Sequence, residues 1–145
     1  MSGLADDLVA YLDTNSTKVT AATNLFKHAI VETTGRAVFV IETMGAPNIE
    51  KFSGSLPAMI RPRASITVRS TASVGGAGIA GSTGTRDLAG DMWDLLVGVA
   101  NTSVNSKTYQ RVECLQTPFF LRRDEKGRAH IVFNVQAMAS PTTQA

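Results

Sequence analysis

Apolar positions along the chain fall into two rhythms. Leu4, Leu8, Tyr11 and Leu12 recur at helical spacing, which predicts an N-terminal helix over residues 3–13, with Ser2 as its cap and Asp6 and Asp7 near its positive end. Leu88, Met92, Leu95, Leu96 and Val99 repeat the spacing, so a second helix is expected over 86–100 with Trp93 beside its stripe. Elsewhere the period is two. Ala64, Ile66 and Val68 alternate with Arg63, Ser65, Thr67 and Arg69, and Ile131, Phe133, Val135 and Ala137 alternate with His130, Asn134 and Gln136. Residues 36–43 carry apolar side chains on both parities, as in a strand covered on both faces. Residues 24–30 make a weaker strand candidate and 109–116 a further strand. The stretch 122–128 holds six charged residues of seven and Gly127, and reads as the solvent-exposed tip of a hairpin joining 118–121 to 128–138.

Punctuation completes the reading. Gly45, Pro47, Gly54 and Pro57 make 44–57 a loop, and five glycines make 73–85 another. Residues 101–106 read as a turn, and 140–145 offer no large apolar anchor and should fray. The expected fold is therefore α+β: one domain over 1–139, with a mainly antiparallel sheet, two helices packed on it and a flexible tail over 140–145.

The chain's 145 residues suit one domain with a core of useful size, and its net charge of +2 argues against a dedicated nucleic-acid binder. No apolar run approaches membrane-spanning length, and Asp6 and Asp7 stand where an export signal would be basic and then apolar. The single cysteine, Cys114, excludes an internal disulfide and reads as a buried thiol.

Candidate chemistry is sparse. Residues 76–81 spell G-x-G-x-x-G after a strand and before a helix, the pattern that lets a pyrophosphate approach a helix N-terminus. Four further residues separate Gly81 from the expected helix, and no acidic ribose partner or alternating βαβ order follows, so a flexible loop is the better reading. His28 and His130 lack companions at metal-ligand spacing, and no metal, cofactor or catalytic set is expected. Arg61, Arg63 and Arg69 form an acid-free stretch that fits either a solvated sheet face or an interface.

Taken in order, these features resemble the tail terminator proteins of long-tailed bacteriophages. The resemblance rests on the helix "DLVAYL", the strand ending "VIETMGAPN", the arginine strand "RPRASITVRS", the helix "DLLVGVAN" and the closing "VECLQTPFFLRRDEKGR". It departs from the pattern in a longer, blander glycine stretch before the second helix. The resemblance implies a non-enzymatic virion protein, assembled in the host cytoplasm, that forms a homo-hexameric ring, caps the tail tube, stops its growth and joins the head connector. DNA would pass through the ring without sequence-specific binding. Candidate interface residues are Arg61, Arg63, Arg69, Arg122, Arg123, Asp124, Glu125 and Lys126. A partner-contacting loop is expected at Val74, Gly75, Gly76, Gly78, Ile79 and Gly81, with Ile79 as its anchor. A head-completion adaptor, a tail tube subunit and a small nucleotide-binding enzyme using the glycine loop are the alternatives.

Overall fold

A computed structural model of the chain describes residues 3–33, 35–49, 59–71 and 77–140, with side chains outside 46–49 and 77–83. The elements run α1 (Leu4–Asn15), β1 (Leu25–Lys27), β2 (Ala37–Ile49), β3 (Met59–Arg69), α2 (Ala77–Val97), β4 (Ala100–Val104), β5 (Lys107–Cys114), β6 (Phe119–Arg123) and β7 (Ala129–Ala139). One sheet takes the order β1-β2-β3-β7-β5-β4, and β6 shares with β5 the far edge of β7. Among the named strands only the β1–β2 pair is parallel. The fold is the expected α+β arrangement.

Alternation put the right residues inside. Ile66 and Val68 on β3, Val112 on β5 and Ile131, Phe133 and Val135 on β7 meet Leu88 and Met92 of α2 and Leu4, Leu8 and Leu12 of α1 in a single core. Leu95, expected there, packs at its margin. β2 is covered on both faces, as its mixed parity predicts. Val38 and Val40 face the helices, while Phe39 stacks on Phe26 on the other side, ring centroids 5.7 Å apart.

Helix α1 starts one residue later than expected and is capped from two directions. The Gly3 amide donates to Asp6 Oδ2 at 3.0 Å, and the Ala5 amide donates to Glu42 Oε1 of β2 at 2.9 Å. Gly3 is needed for that approach, since a Cβ there would stand 2.3 Å from Glu42 Oε1. A strand glutamate thus fixes where the helix begins.

Three expectations need correction. The loop expected over 44–57 is strand as far as Ile49, with register shifts between Thr43 and Ala46 and between Ala46 and Ile49. Gly45 and Pro47 mark irregularities in that edge rather than its end; at Gly45 a Cβ would lie 2.8 Å from the Arg61 carbonyl oxygen. Residues 50–58 lie outside those described. The glycine stretch is helical from Ala77 onward, so α2 begins nine residues before its expected start. Its seat is Arg36, whose Nε donates to Thr85 Oγ1 at 3.0 Å, while Gly84 lies so close that a Cβ would be 2.9 Å from Arg36 Nη2. Glycine there permits close packing, although it lowers helix propensity. At the other end, the stretch expected to turn over 101–106 is mostly β4. Only Asn105 and Ser106 form the turn, at φ 50° and 65°, as a two-residue hairpin requires.

A buried polar cluster ties α1 to that hairpin. Asp7, read from sequence as a helix-dipole residue, is 1% exposed. It accepts hydrogen bonds from Tyr109 Oη and from Asn105 Nδ2 at 2.8 Å, and pairs with Lys107 Nζ at 3.2 Å. Burial, and then the Asp7 carboxylate, push the Tyr109 hydroxyl well above its ordinary pKa. Lys107 is equally enclosed. Asp7→Ala is therefore expected to cost about 3–5 kcal/mol, because it strands the buried ammonium. Asp7→Ala combined with Lys107→Met should recover part of that loss in urea unfolding; equal losses for the single and double variants would show that the pair is not coupled.

Candidate assembly surface

The arginine strand does not act as one surface. Arg61 and Arg63 are half-exposed, and Arg63 Nε donates to Gln136 Oε1 of β7 at 2.8 Å. Arg69 is 1% exposed. Its guanidinium lies over the Phe39 ring at 4.7 Å and donates from Nη2 to the Val31 carbonyl at 2.8 Å and to Thr33 Oγ1 at 3.0 Å. Residues 31–33 therefore lie over the sheet face that β3 was expected to offer to solvent. Among the described residues Arg69 Nε has no hydrogen-bond partner, and burial lowers the guanidinium's pKa.

The charged hairpin is equally divided. Gly127 takes φ 76°, as its turn demands, and the Asp124 amide closes the loop on the Arg128 carbonyl at 3.0 Å. Asp124 is turned inward. It accepts from the Lys126 amide at 2.9 Å, from the Arg128 amide at 3.0 Å and from Arg128 Nε at 2.7 Å, and His130 Nε2 lies 3.2 Å away. Burial alone would raise the pKa of this carboxyl, but the bonds from His130, Arg128 and Lys126 outweigh it and hold the group well below the usual range. His130, expected on the solvent side, is 2% exposed. Burial lowers its pKa against the opposing pull of Asp124. Arg128, also buried, grips Glu32 with Nη2 at 2.8 Å, and Lys126 Nζ reaches the same carboxylate at 2.8 Å. Those bonds hold Glu32 at a pKa of about 2.

Register explains the grouping. Arg69, His130 and Arg122 stand opposite one another on β3, β7 and β6, a row of cationic and titratable side chains that Asp124 and Glu32 balance. An open groove of about 360 Å³ runs along them, lined also by Ile30, Val31 and Glu125. Of the eight interface candidates, Arg122, Arg123, Glu125 and Lys126 are exposed, Arg61 and Arg63 are half-exposed, and Arg69 and Asp124 serve the fold. Sequence reasoning passed over Arg128 and Glu32, which join the hairpin to the segment after β1; a buried arginine beside a turn aspartate leaves no periodic signal.

Of the loop candidates, Val74, Gly75 and Gly76 lie outside the described residues, and Gly78, Ile79 and Gly81 are within the backbone of α2. Residues 77–81 of the glycine motif thus lie inside α2 rather than in a loop before it, unlike the turn that a pyrophosphate site requires. Cys114 is half-buried with Sγ 4.0 Å from the Trp93 carbonyl oxygen, and burial raises its pKa to about 11. Among the described residues no three His, Cys, Asp or Glu side chains are placed to hold a metal, and no helix is long and apolar enough to cross a membrane.

Comparison with known proteins places this geometry. No family model matches the chain, and no curated protein matches it in sequence. A chain from the virion of a native gene transfer agent particle superposes with a TM-score of 0.64 at 15% identity, covering 95% of both chains. The two share a fold. A second solved chain superposes with a TM-score of 0.54 at 12% identity, over 98% of this chain and 100% of the other.

Two outcomes follow for the charged residues. Arg69→Glu should destabilise the fold by more than about 3 kcal/mol by burying a reversed charge, whereas Arg63→Glu should stay within about 0.5 kcal/mol of the parent in chemical unfolding. Glu32 has a depressed pKa in the fold, so its contribution is complete above the ordinary glutamate value of 4.5 and is lost as pH falls toward about 2. Melting temperatures of the parent and Glu32→Gln should differ at pH 6 and converge through that acid window; a constant gap would mean that the ion pairs add nothing.

Proposed function

We propose that this chain is a structural protein of a phage-like virion and, within it, the tail terminator. The observation that carries the reading is superposition on a gene transfer agent virion chain over nearly the whole length of both. The order of sequence features from "DLVAYL" to "RRDEKGR" supports the finer role. In that role the chain closes into a homo-hexameric ring, caps the tail tube, halts its polymerisation and meets the head connector. DNA passes through the ring without base-specific contact, in keeping with a net charge of +2. Arg122, Arg123, Glu125 and Lys126 remain candidates for matched-charge contacts between neighbours.

Light scattering and negative-stain images of the purified chain test the role, together with tube assembly in its presence. The expected result is a closed ring and tubes of limited length. Open filaments built by this chain alone would make it a tube subunit instead. A monomer stabilised by added nucleotide would overturn the structural reading.

A further inference from the structure

Among the described residues, three consecutive exposed large apolar side chains fall on one strand. Phe119, Phe120 and Leu121 of β6 are 38%, 46% and 53% exposed, and Leu115 just before them is 45% exposed. β6 pairs with β7 along one side only. An edge strand this apolar is a template for another chain, and proteins leave such edges open where something covers them. Arg122 and Arg123 at its end are the only charges on it.

The same sheet carries a complementary feature on the far side of three strands, β7, β3 and β2. β1 is the terminal strand on that side. Beside it opens a cavity of about 350 Å³ lined by Val9, Ala21, Ala22, Leu25, Phe26 and Val31. The one charged side chain at its rim, Lys27, is drawn to Asp6 at 2.6 Å. The cleft is apolar, and among the described residues no named strand lies beyond β1, whose outer side is met only at Leu25, by the Ala21 bridge and the Ala22 amide at 2.9 Å.

We propose that β6 of one copy docks at the cleft beside β1 of the next, with Phe120 and Leu121 entering it between Ala22 and Val31. Each copy offers one apolar strand and one apolar cleft on different strands of its sheet, so a second copy covers both. The contact is heterologous, and repeated it closes into a ring or propagates. The inference rests on the ring reading above and names the surfaces that would build it.

The test uses two disabled copies. Phe120→Asp/Leu121→Asp removes the donor at exposed positions. Ala22→Asp charges the cleft at an exposed site whose φ of 65° an aspartate tolerates. Each variant alone should keep the parent's melting temperature and lose ring assembly by roughly tenfold or more at the parent's assembling concentration. Mixed in equal amounts they should form one-to-one heterodimers, because a single intact contact remains between them. If either variant forms rings as the parent does, this pairing is wrong while the ring reading stands. If the parent itself forms no ring, the ring reading fails, and crosslinking decides the contact alone. Leu121→Cys and Lys27→Cys copies, both in a Cys114→Ser background, should then crosslink to each other through a short bismaleimide. No crosslink at high concentration overturns the proposal.

Discussion

Everything in this fold is arranged around the pairing of β7. Its 11 residues take β3 along one edge and divide the other between β5 and β6. Ile131, Phe133 and Val135 are fully buried beneath the two helices, and removing Phe133 from such a site would be expected to cost about 3–5 kcal/mol. Because successive side chains alternate faces, that register also sets the opposite face, where His130 falls between Arg69 and Arg122. The core and the charged groove are two sides of one decision about strand alignment.

Sharing an edge has a cost. β5 occupies β7 from Cys114 back to Tyr109, and β6 is left with five residues at the other end. β6 therefore has few partners of its own. The ion pairs among Asp124, Arg128, Lys126 and Glu32 hold its turn to the segment that follows β1. That leaves a firmly placed strand whose apolar side chains face outward, an arrangement that suits a subunit better than a solitary protein.

What could be read from the sequence was what periodicity encodes. Alternation on β3 and β7 and the helical stripes of Leu8 and Met92 identified the core because a buried face leaves a regular apolar trace. Arg69 could not be read this way. A strand shows which residues share a face, but it does not show that 31–33 will fold over that face and bury a guanidinium on Phe39. Asp7 failed for the same reason: its place in the first turn of a helix fits a dipole argument, while its partners Lys107 and Tyr109 lie about a hundred residues away. The glycine stretch misled in the opposite direction. Local propensity argued for a loop, but packing of Gly84 and Thr85 against Arg36 extends the helix through it.

The central claim is that β6 is ordered within the isolated subunit yet completed only by a neighbour. Amide hydrogen exchange at 119–123, compared between dilute subunits and assembled particles, tests it most directly. Intermediate protection in the free chain that rises sharply on assembly, while β7 stays fully protected throughout, is the predicted result. Unchanged exchange at 119–123, with assembly-dependent protection appearing elsewhere, would contradict it.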